Sequence, residues 1–354
     1  MELAGLGQSP WYDNIDRRLI KNGELKKFFE KGILGVTSNP TIFEKAVNGS
    51  DIYDSAIKKL YDEGRTASEI CDILTIEDVS EAAGLLRDRY DVSNHLDGYV
   101  SIEVPPELAY DAERTVRAAL EIFGKINKPN IMIKVPGTTE GCLAVRELIR
   151  YGVNVNLTLL FSLAHYESSA AAYINGLRDR IKDGKDVRNI FSVASVFVSR
   201  IDTKLDRIFE EKKAEGLKGK IAVANSKMIY QKFKDLFKST DFGKLKQKGA
   251  NLQRVLWAST STKNPAYPDL KYVEGLIGPD TINTMPPDTM NAFLDHGKAC
   301  FEVEENLGEA RAALARLTAF GIDLEKICQE IQDAGVKAFQ NSFSKLINAI
   351  EEKK

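Results

Sequence analysis

Short apolar runs alternate with amphipathic helical stretches from one end of the chain to the other, and this rhythm restricts the fold more than any other feature. Strands separated by helices pair in parallel, because each helix carries the chain back to the start of the next strand. The runs predict eight strands, over residues 11–15, 34–39, 98–104, 131–135, 153–160, 190–198, 254–260 and 281–285. Several, such as Ile131-Met132-Ile133 and the run from Phe191 to Val198, are near-continuous hydrophobic runs. Strands buried on both faces have this composition. Between them, residues 108–123 place Leu108, Ala112, Val116, Ala119, Leu120 and Phe123 close to a 3.6-residue period. Thr41-Ile42-Phe43-Glu44 after Pro40 has capping-box spacing and predicts a helix start directly behind the second strand.

Eight βα units in 354 residues predict a (β/α)8 TIM barrel with decoration, spanning residues 1–354 as one domain. Two stretches exceed a simple βα unit. Residues 46–97 read as extra helices at 52–61 and 67–90, and residues 302–354 as helices at 310–320 and 324–350 separated by Gly321. The competing architecture is an open doubly wound sheet. No G-x-G-x-x-G follows any strand, so a dinucleotide fold has no support.

Side chains alternate across a strand, and in a barrel the inward residues near the carboxyl ends line the site. Polar residues fall at alternate positions late in almost every run. Asp13 lies on strand one, Thr37 and Asn39 on strand two, Ser101 and Glu103 on strand three, and Lys134 two residues after Met132 on strand four. Strand five carries Asn154, Asn156 and Thr158, strand six Ser195 with Phe197, and strand seven Ser259 after Trp257. Together they describe a polar pocket at one mouth.

Lys134 is the sharpest feature, a lysine behind three apolar residues and ahead of Val135-Pro136-Gly137. Burial disfavours an ammonium, and a neutral amine can attack a ketone to form a Schiff base whose iminium accepts the electrons of a breaking carbon–carbon bond. Asp13 and Glu103 share the mouth, either as salt-bridge partners of Lys134 or as the proton-transfer groups such chemistry requires. Arg200 at the end of strand six and Lys263 beyond strand seven are candidates for binding phosphate, the alternative for Arg200 being a surface pair with Asp202.

A net charge of -2 argues against nucleic acid or an anionic membrane as a partner. Three histidines, His95, His165 and His296, are too scattered for a paired metal motif, and the four cysteines show no C-x-x-C spacing. No metal site is therefore expected, and Cys71, Cys142, Cys300 and Cys328 read as small buried hydrophobes in a reducing compartment. The opening MELAGLGQSPWYDN lacks the basic and apolar regions of a secretory leader, which gives a cytoplasmic expectation. No heptad seam specifies an oligomer, leaving monomer and homodimer open.

Gly35-Val36-Thr37-Ser38-Asn39-Pro40, Ile131-Met132-Ile133-Lys134-Val135-Pro136-Gly137-Thr138, Asn156-Leu157-Thr158-Leu159-Leu160-Phe161-Ser162, Ser195-Val196-Phe197-Val198-Ser199-Arg200-Ile201-Asp202 and Trp257-Ala258-Ser259-Thr260 occur in this order. The set resembles the transaldolases, from Asp13 to the stretch around Met285, and the length resembles their longer subgroup. The resemblance implies a barrel that works without metal or organic cofactor on sugar phosphates in the non-oxidative pentose phosphate pathway. Its reaction is sedoheptulose 7-phosphate plus glyceraldehyde 3-phosphate to erythrose 4-phosphate plus fructose 6-phosphate. It implies Lys134 as the Schiff-base lysine, Asp13 as the acid/base at the C4 hydroxyl, and Glu103 with Thr158 as holders of a catalytic water. Asn39, Asn156 and Ser195 match residues that hold the dihydroxyacetone hydroxyls, Thr37 and Phe197 wall positions, and Arg200 and Ser259 phosphate ligands. Shorter relatives have Ser-x-Arg after strand seven, whereas this chain has Ser259-Thr260-Ser261-Thr262-Lys263, which gives the cationic role to Lys263. Two other readings are a fructose 6-phosphate aldolase releasing free dihydroxyacetone and a sugar-phosphate-binding barrel without catalysis.

Overall fold

The structure is a computed structural model that describes residues 2–354. Eight parallel strands close into a barrel in chain order: β1 (Gln8–Tyr12), β2 (Gly35–Thr37), β3 (Tyr99–Glu103), β4 (Ile131–Pro136), β5 (Val155–Leu160), β6 (Ser192–Phe197), β7 (Gln253–Ala258) and β8 (Thr281–Met285). This is the expected (β/α)8 TIM barrel. After β1 come α1 (Arg17–Lys21) and α2 (Glu24–Glu30), and after β2 come α3 (Pro40–Asn48), α4 (Asp54–Asp62), α5 (Ala67–Leu85) and α6 (Arg87–Val92). Single helices follow the next three strands: α7 (Ala112–Ile126), α8 (Thr139–Tyr151) and α9 (Leu163–Lys182). Behind β6 lie α10 (Ser199–Glu211), α11 (Ile221–Phe237) and α12 (Thr240–Lys246), and behind β7 the short α13 (Lys271–Glu274). The chain ends with α14 (Pro287–His296), α15 (Leu307–Ala319) and α16 (Leu324–Glu352).

Four local expectations are corrected. Strand one starts at Gln8 rather than residue 11. Pairing with β8 runs from Gln8↔Thr281 to Tyr12↔Met285 straight through Pro10, so the strand also ends at Tyr12 rather than residue 15. The helix behind β2 is capped by Asn39, which accepts from the Ile42 N–H at 3.1 Å. Pro40 occupies the first helical turn, where a missing N–H costs nothing, so Thr41 already lies inside the helix. The stretch between β6 and β7 also exceeds one unit, since it holds three helices. Of the cysteines, Cys71 and Cys328 are buried, but Cys142 is half-buried and Cys300 is exposed.

The strands are buried on both faces, and Trp11, Trp257, Val36, Ile133 and Val155 are all fully buried. Gly35 lets strand two approach strand one, because a Cβ there would meet the Trp11 ring at 2.5 Å. At the amino ends of the strands a polar plug closes the floor. The buried Arg254 donates to Asp97 at 3.1 Å, to the Ser9 hydroxyl at 2.5 Å, and to the carbonyls of Thr281 at 2.8 Å and Leu96 at 3.1 Å. Removing one member of a buried pair leaves the other charge uncompensated, at a cost of roughly 3–5 kcal/mol. Arg254→Met is therefore expected to lower the unfolding free energy by about 3 kcal/mol in a urea titration without moving the opposite mouth of the barrel. A midpoint within error of the native chain's would show that the plug contributes nothing.

At the opposite end, α16 packs along α3 and α5 and reaches the carboxyl ends of β4 and β5. A single parallel direction for all eight strands gathers their late polar residues at this mouth.

Candidate active site

Lys134 is 4% exposed. Strand register sets it beside Glu103 on β3 and Asn156 on β5. Its Nζ donates to the Ser38 carbonyl at 3.2 Å, stands 3.8 Å from a Glu103 carboxylate oxygen, and lies 5.8 Å from the centroid of the Phe339 ring on α16. A separation of 3.8 Å is too long for a hydrogen bond. The contact with Glu103 is thus a charge pair rather than a bonded one.

Both Glu103 carboxylate oxygens are buried without a hydrogen-bond partner, as is the hydroxyl of Thr158. Burial pushes the Glu103 carboxyl up to about 7, Lys134 partly offsets this, and the Asp13 charge adds to it. The carboxyl is therefore poised to exchange a proton near neutrality. Asp13 follows directly on β1, its N–H donating to the Met285 carbonyl at 2.8 Å. Its carboxylate accepts from the Thr37 hydroxyl at 2.6 Å, and Thr37 in turn meets the Thr284 hydroxyl at 2.6 Å. Desolvation raises the affinity of Asp13 for its proton, against the pull of Lys134, the Thr37 bond and Arg200.

A second string of bonds crosses the barrel. Asn156 donates to the Ser101 hydroxyl at 3.1 Å and accepts from the Ser195 hydroxyl at 2.6 Å, so both ends of its amide are engaged and its orientation is set. Phe197 is buried against Phe161 at 5.6 Å between ring centroids. The Arg200 guanidinium lies over the Phe197 ring at 5.1 Å, half-buried, its proton affinity lowered by desolvation and supported by Asp13. It is not paired with Asp202, which instead accepts from the Ala222 N–H at 2.8 Å and the Tyr272 hydroxyl at 3.0 Å. Ser259 stands at φ +54 with its hydroxyl 3.0 Å from that of Ser199.

The mouth thus brings together Lys134, Glu103, Thr37, Asn156, Thr158, Ser195 and Phe197 on the late parts of β2 to β6, Asp13 just past β1, and Arg200 in the first turn of α10 rather than at the end of strand six. Asn39 joins from the start of α3, its side-chain oxygen occupied in capping. Lys263 is not drawn in. It is exposed on the loop behind β7, with its ammonium 3.2 Å from the Ser261 hydroxyl of the same loop. Asn154, counted with the mouth residues from its parity, sits at the opposite end, where it donates to the Pro129 carbonyl and accepts from the Phe191 N–H. Ser38, Thr284 and Phe339 were not anticipated. Thr284 lay in plain view on the eighth strand, whereas Ser38 acts through its carbonyl and Phe339 comes from a distant helix, neither of which leaves a local signal. Among the described residues, no group of three or more His, Cys, Asp and Glu side chains is arranged to hold a metal ion.

A parallel barrel with a buried lysine and two carboxyl groups of raised proton affinity at its carboxyl mouth is the site of a lysine-bearing (β/α)8 enzyme. The family follows from comparison. The chain matches the model of the transaldolase/fructose-6-phosphate aldolase family over residues 10–350, and it belongs to that family of enzymes. It is 44% identical to a transaldolase 2 of Nostoc punctiforme and 43% identical to a transaldolase of Trichodesmium erythraeum, in each case covering 100% of this chain and 97% of the relative. A transaldolase of Neisseria meningitidis is 41% identical over 98% of this chain and 97% of its own length. Among the described residues no helix is long and apolar enough to cross a membrane.

Proposed function

We propose that this chain is a transaldolase that moves a dihydroxyacetone unit between sugar phosphates through a Schiff base on Lys134, in the cytoplasm and within the non-oxidative pentose phosphate pathway. The observation that carries the reading is the buried Lys134 amine, 3.8 Å from a Glu103 carboxyl whose proton affinity lies near neutrality. The amine must be neutral when it attacks, and Glu103 is the adjacent group able to take up a proton.

In this mechanism the Lys134 nitrogen attacks C2 of fructose 6-phosphate or sedoheptulose 7-phosphate to give a carbinolamine. Glu103, with a water held between it and the Thr158 hydroxyl, protonates the departing C2 oxygen, and water leaves as the iminium forms. Asp13 takes the proton of the C4 hydroxyl. The C3–C4 bond then breaks, its electrons passing into the iminium to leave an enamine on Lys134, and C4 departs as the aldehyde of an aldose phosphate. A second aldose phosphate enters, and the steps run backwards. Asn39, Asn156 and Ser195 hold the hydroxyls of the three-carbon fragment, and Thr37 and Phe197 form its walls. Arg200 and Ser259 bind the phosphate, with Lys263 reaching it from its loop in the bound state. Between half-reactions the covalently held fragment must be shielded from hydrolysis.

Borohydride reduction in the presence of fructose 6-phosphate, followed by peptide mass mapping, tests this. A three-carbon or hexose phosphate adduct on Lys134 is the expected result, and an unmodified Lys134 removes the reading. Free dihydroxyacetone released at the full turnover rate without an acceptor would assign the aldolase activity in place of the transferase.

A further inference from the structure

Helix α16 carries one buried polar side chain that the chemistry above leaves unused. Gln332 is 2% exposed, and its Nε2 donates to two carbonyls of the barrel mouth, that of Gly137 behind β4 at 3.0 Å and that of Leu159 on β5 at 2.9 Å. Its Oε1 accepts from Gln329 at 3.2 Å. Gln329 also donates to Asp333 at 3.0 Å, and its oxygen lies 3.3 Å from Nε2 of His165. The Phe161 N–H points at His165 Nδ1 at 3.3 Å, which places the ring proton of the neutral imidazole on Nε2, facing Gln329. Every polar atom of the Gln332 amide is therefore engaged and its orientation fixed from both sides.

The carbonyl it holds belongs to an unusual residue. Leu159 is fully buried at φ +60, where a bulky side chain costs about 1–3 kcal/mol and persists only if its surroundings enforce it. The pairing of β5 with β6 shifts register between Leu157 and Leu160, across this residue. Helix α16 presses on it directly, since a Cβ at Gly335 would meet Leu159 Cδ2 at 3.0 Å. The residue before it is Thr158, whose own carbonyl accepts from the Gly137 N–H at 2.7 Å. Gln332 thus clasps both sides of the Gly137–Thr158 link, and the Thr158 hydroxyl is one of the buried groups left free at the mouth.

We infer that Gln332 is a positioning residue, which holds Leu159 in its left-handed conformation and so sets the Thr158 hydroxyl for the water step it shares with Glu103. This rests on the Schiff-base reading. Gln332→Met keeps the length and the helix while removing both donors. In rapid-mixing borohydride trapping with fructose 6-phosphate, its rate of adduct formation is expected to fall about 10- to 100-fold, the scale of a misplaced catalytic group. Half-saturation by the sugar should stay within about threefold of the native value, because Gln332 touches no substrate-binding group. A double mutant with Thr158→Val separates positioning from a general loosening. Acting through Thr158, Gln332→Met adds nothing to the deficit of Thr158→Val, whereas independent effects multiply. A native rate for Gln332→Met, or a multiplied deficit in the double mutant, overturns the inference. Should Gln332→Met not fold, Gly335→Ala pushes on Leu159 from the same helix while raising helix propensity. The same slowing, again absorbed by Thr158→Val, is expected there, and a native rate in it is fatal. The native chain is the control: without an adduct on Lys134 the Schiff-base reading itself falls, whereas a trapped native chain with an indifferent Gln332 removes only this inference.

Discussion

Lys134→Ala is expected to turn over fructose 6-phosphate and an acceptor aldose phosphate at least about 10,000-fold more slowly than the native chain, and Lys134→Met no faster. Among the residues gathered at the mouth, only this amine can form an iminium, and without it the electrons of the C3–C4 bond have nowhere to go. The loss should lie in kcat, because the groups assigned to the hydroxyls and the phosphate are left in place. Folding should survive for a specific reason. Removing one partner of a buried charge pair costs most when the other must stay charged. Glu103, already pushed up to about 7 with Lys134 beside it, can take a proton instead. Thermal unfolding should therefore move little at pH 6 and more at pH 8.5, where an unpaired Glu103 is held ionised against its burial. Turnover within about tenfold of native in a folded Lys134→Ala chain would end the proposed mechanism.

The barrel was legible because its strands are greasy on both faces and its helices are not, and because alternation points every second residue inward. Ser101 and Glu103, Met132 and Lys134, and Asn156 and Thr158 were all placed by parity. Parity failed where the backbone departs from a plain strand. The first strand runs from Gln8 to Tyr12 rather than over 11–15, so Asp13 lies just beyond its end. On β5 the left-handed Leu159 breaks the alternation directly after Thr158. Parity also cannot tell the two ends of a barrel apart, and Asn154 accordingly went to the wrong one. The helix covering the mouth was visible as a helix and nothing more. An amphipathic surface says that a helix packs, not where, so Gln332 and Phe339 could not be assigned to the site. Lys263 is the reverse case. A resemblance fixed its place in the chain, but the loop that carries it stands in solvent.

Glu103→Gln should slow formation of the Schiff base by about 100-fold or more, the usual contribution of a positioned acid/base group. The amide preserves shape and part of the hydrogen-bonding capacity but can neither accept the proton the amine must lose nor return one to the departing oxygen. The pH dependence identifies this cause. With a carboxyl titrating at about 7, the native rate of adduct formation should rise with pH through that value as the base form appears, and this limb should vanish in Glu103→Gln. Stability moves the other way. The folded chain binds the Glu103 proton more tightly than an unfolded chain with the ordinary value of 4.5, so this group favours folding at low pH. That contribution is lost as pH rises from about 4.5 through 7, and above it the buried carboxylate counts against the native state. Glu103→Gln should therefore be as stable as the native chain or more so at pH 8, with a flatter stability profile between pH 5 and 8, while being the far poorer catalyst. A group kept at a stability cost and needed for rate is what catalysis, rather than packing, would retain at that position. A variant that lost both stability and rate at pH 8, with the limb near 7 intact, would make Glu103 a structural partner of Lys134 and move the proton transfer to Asp13.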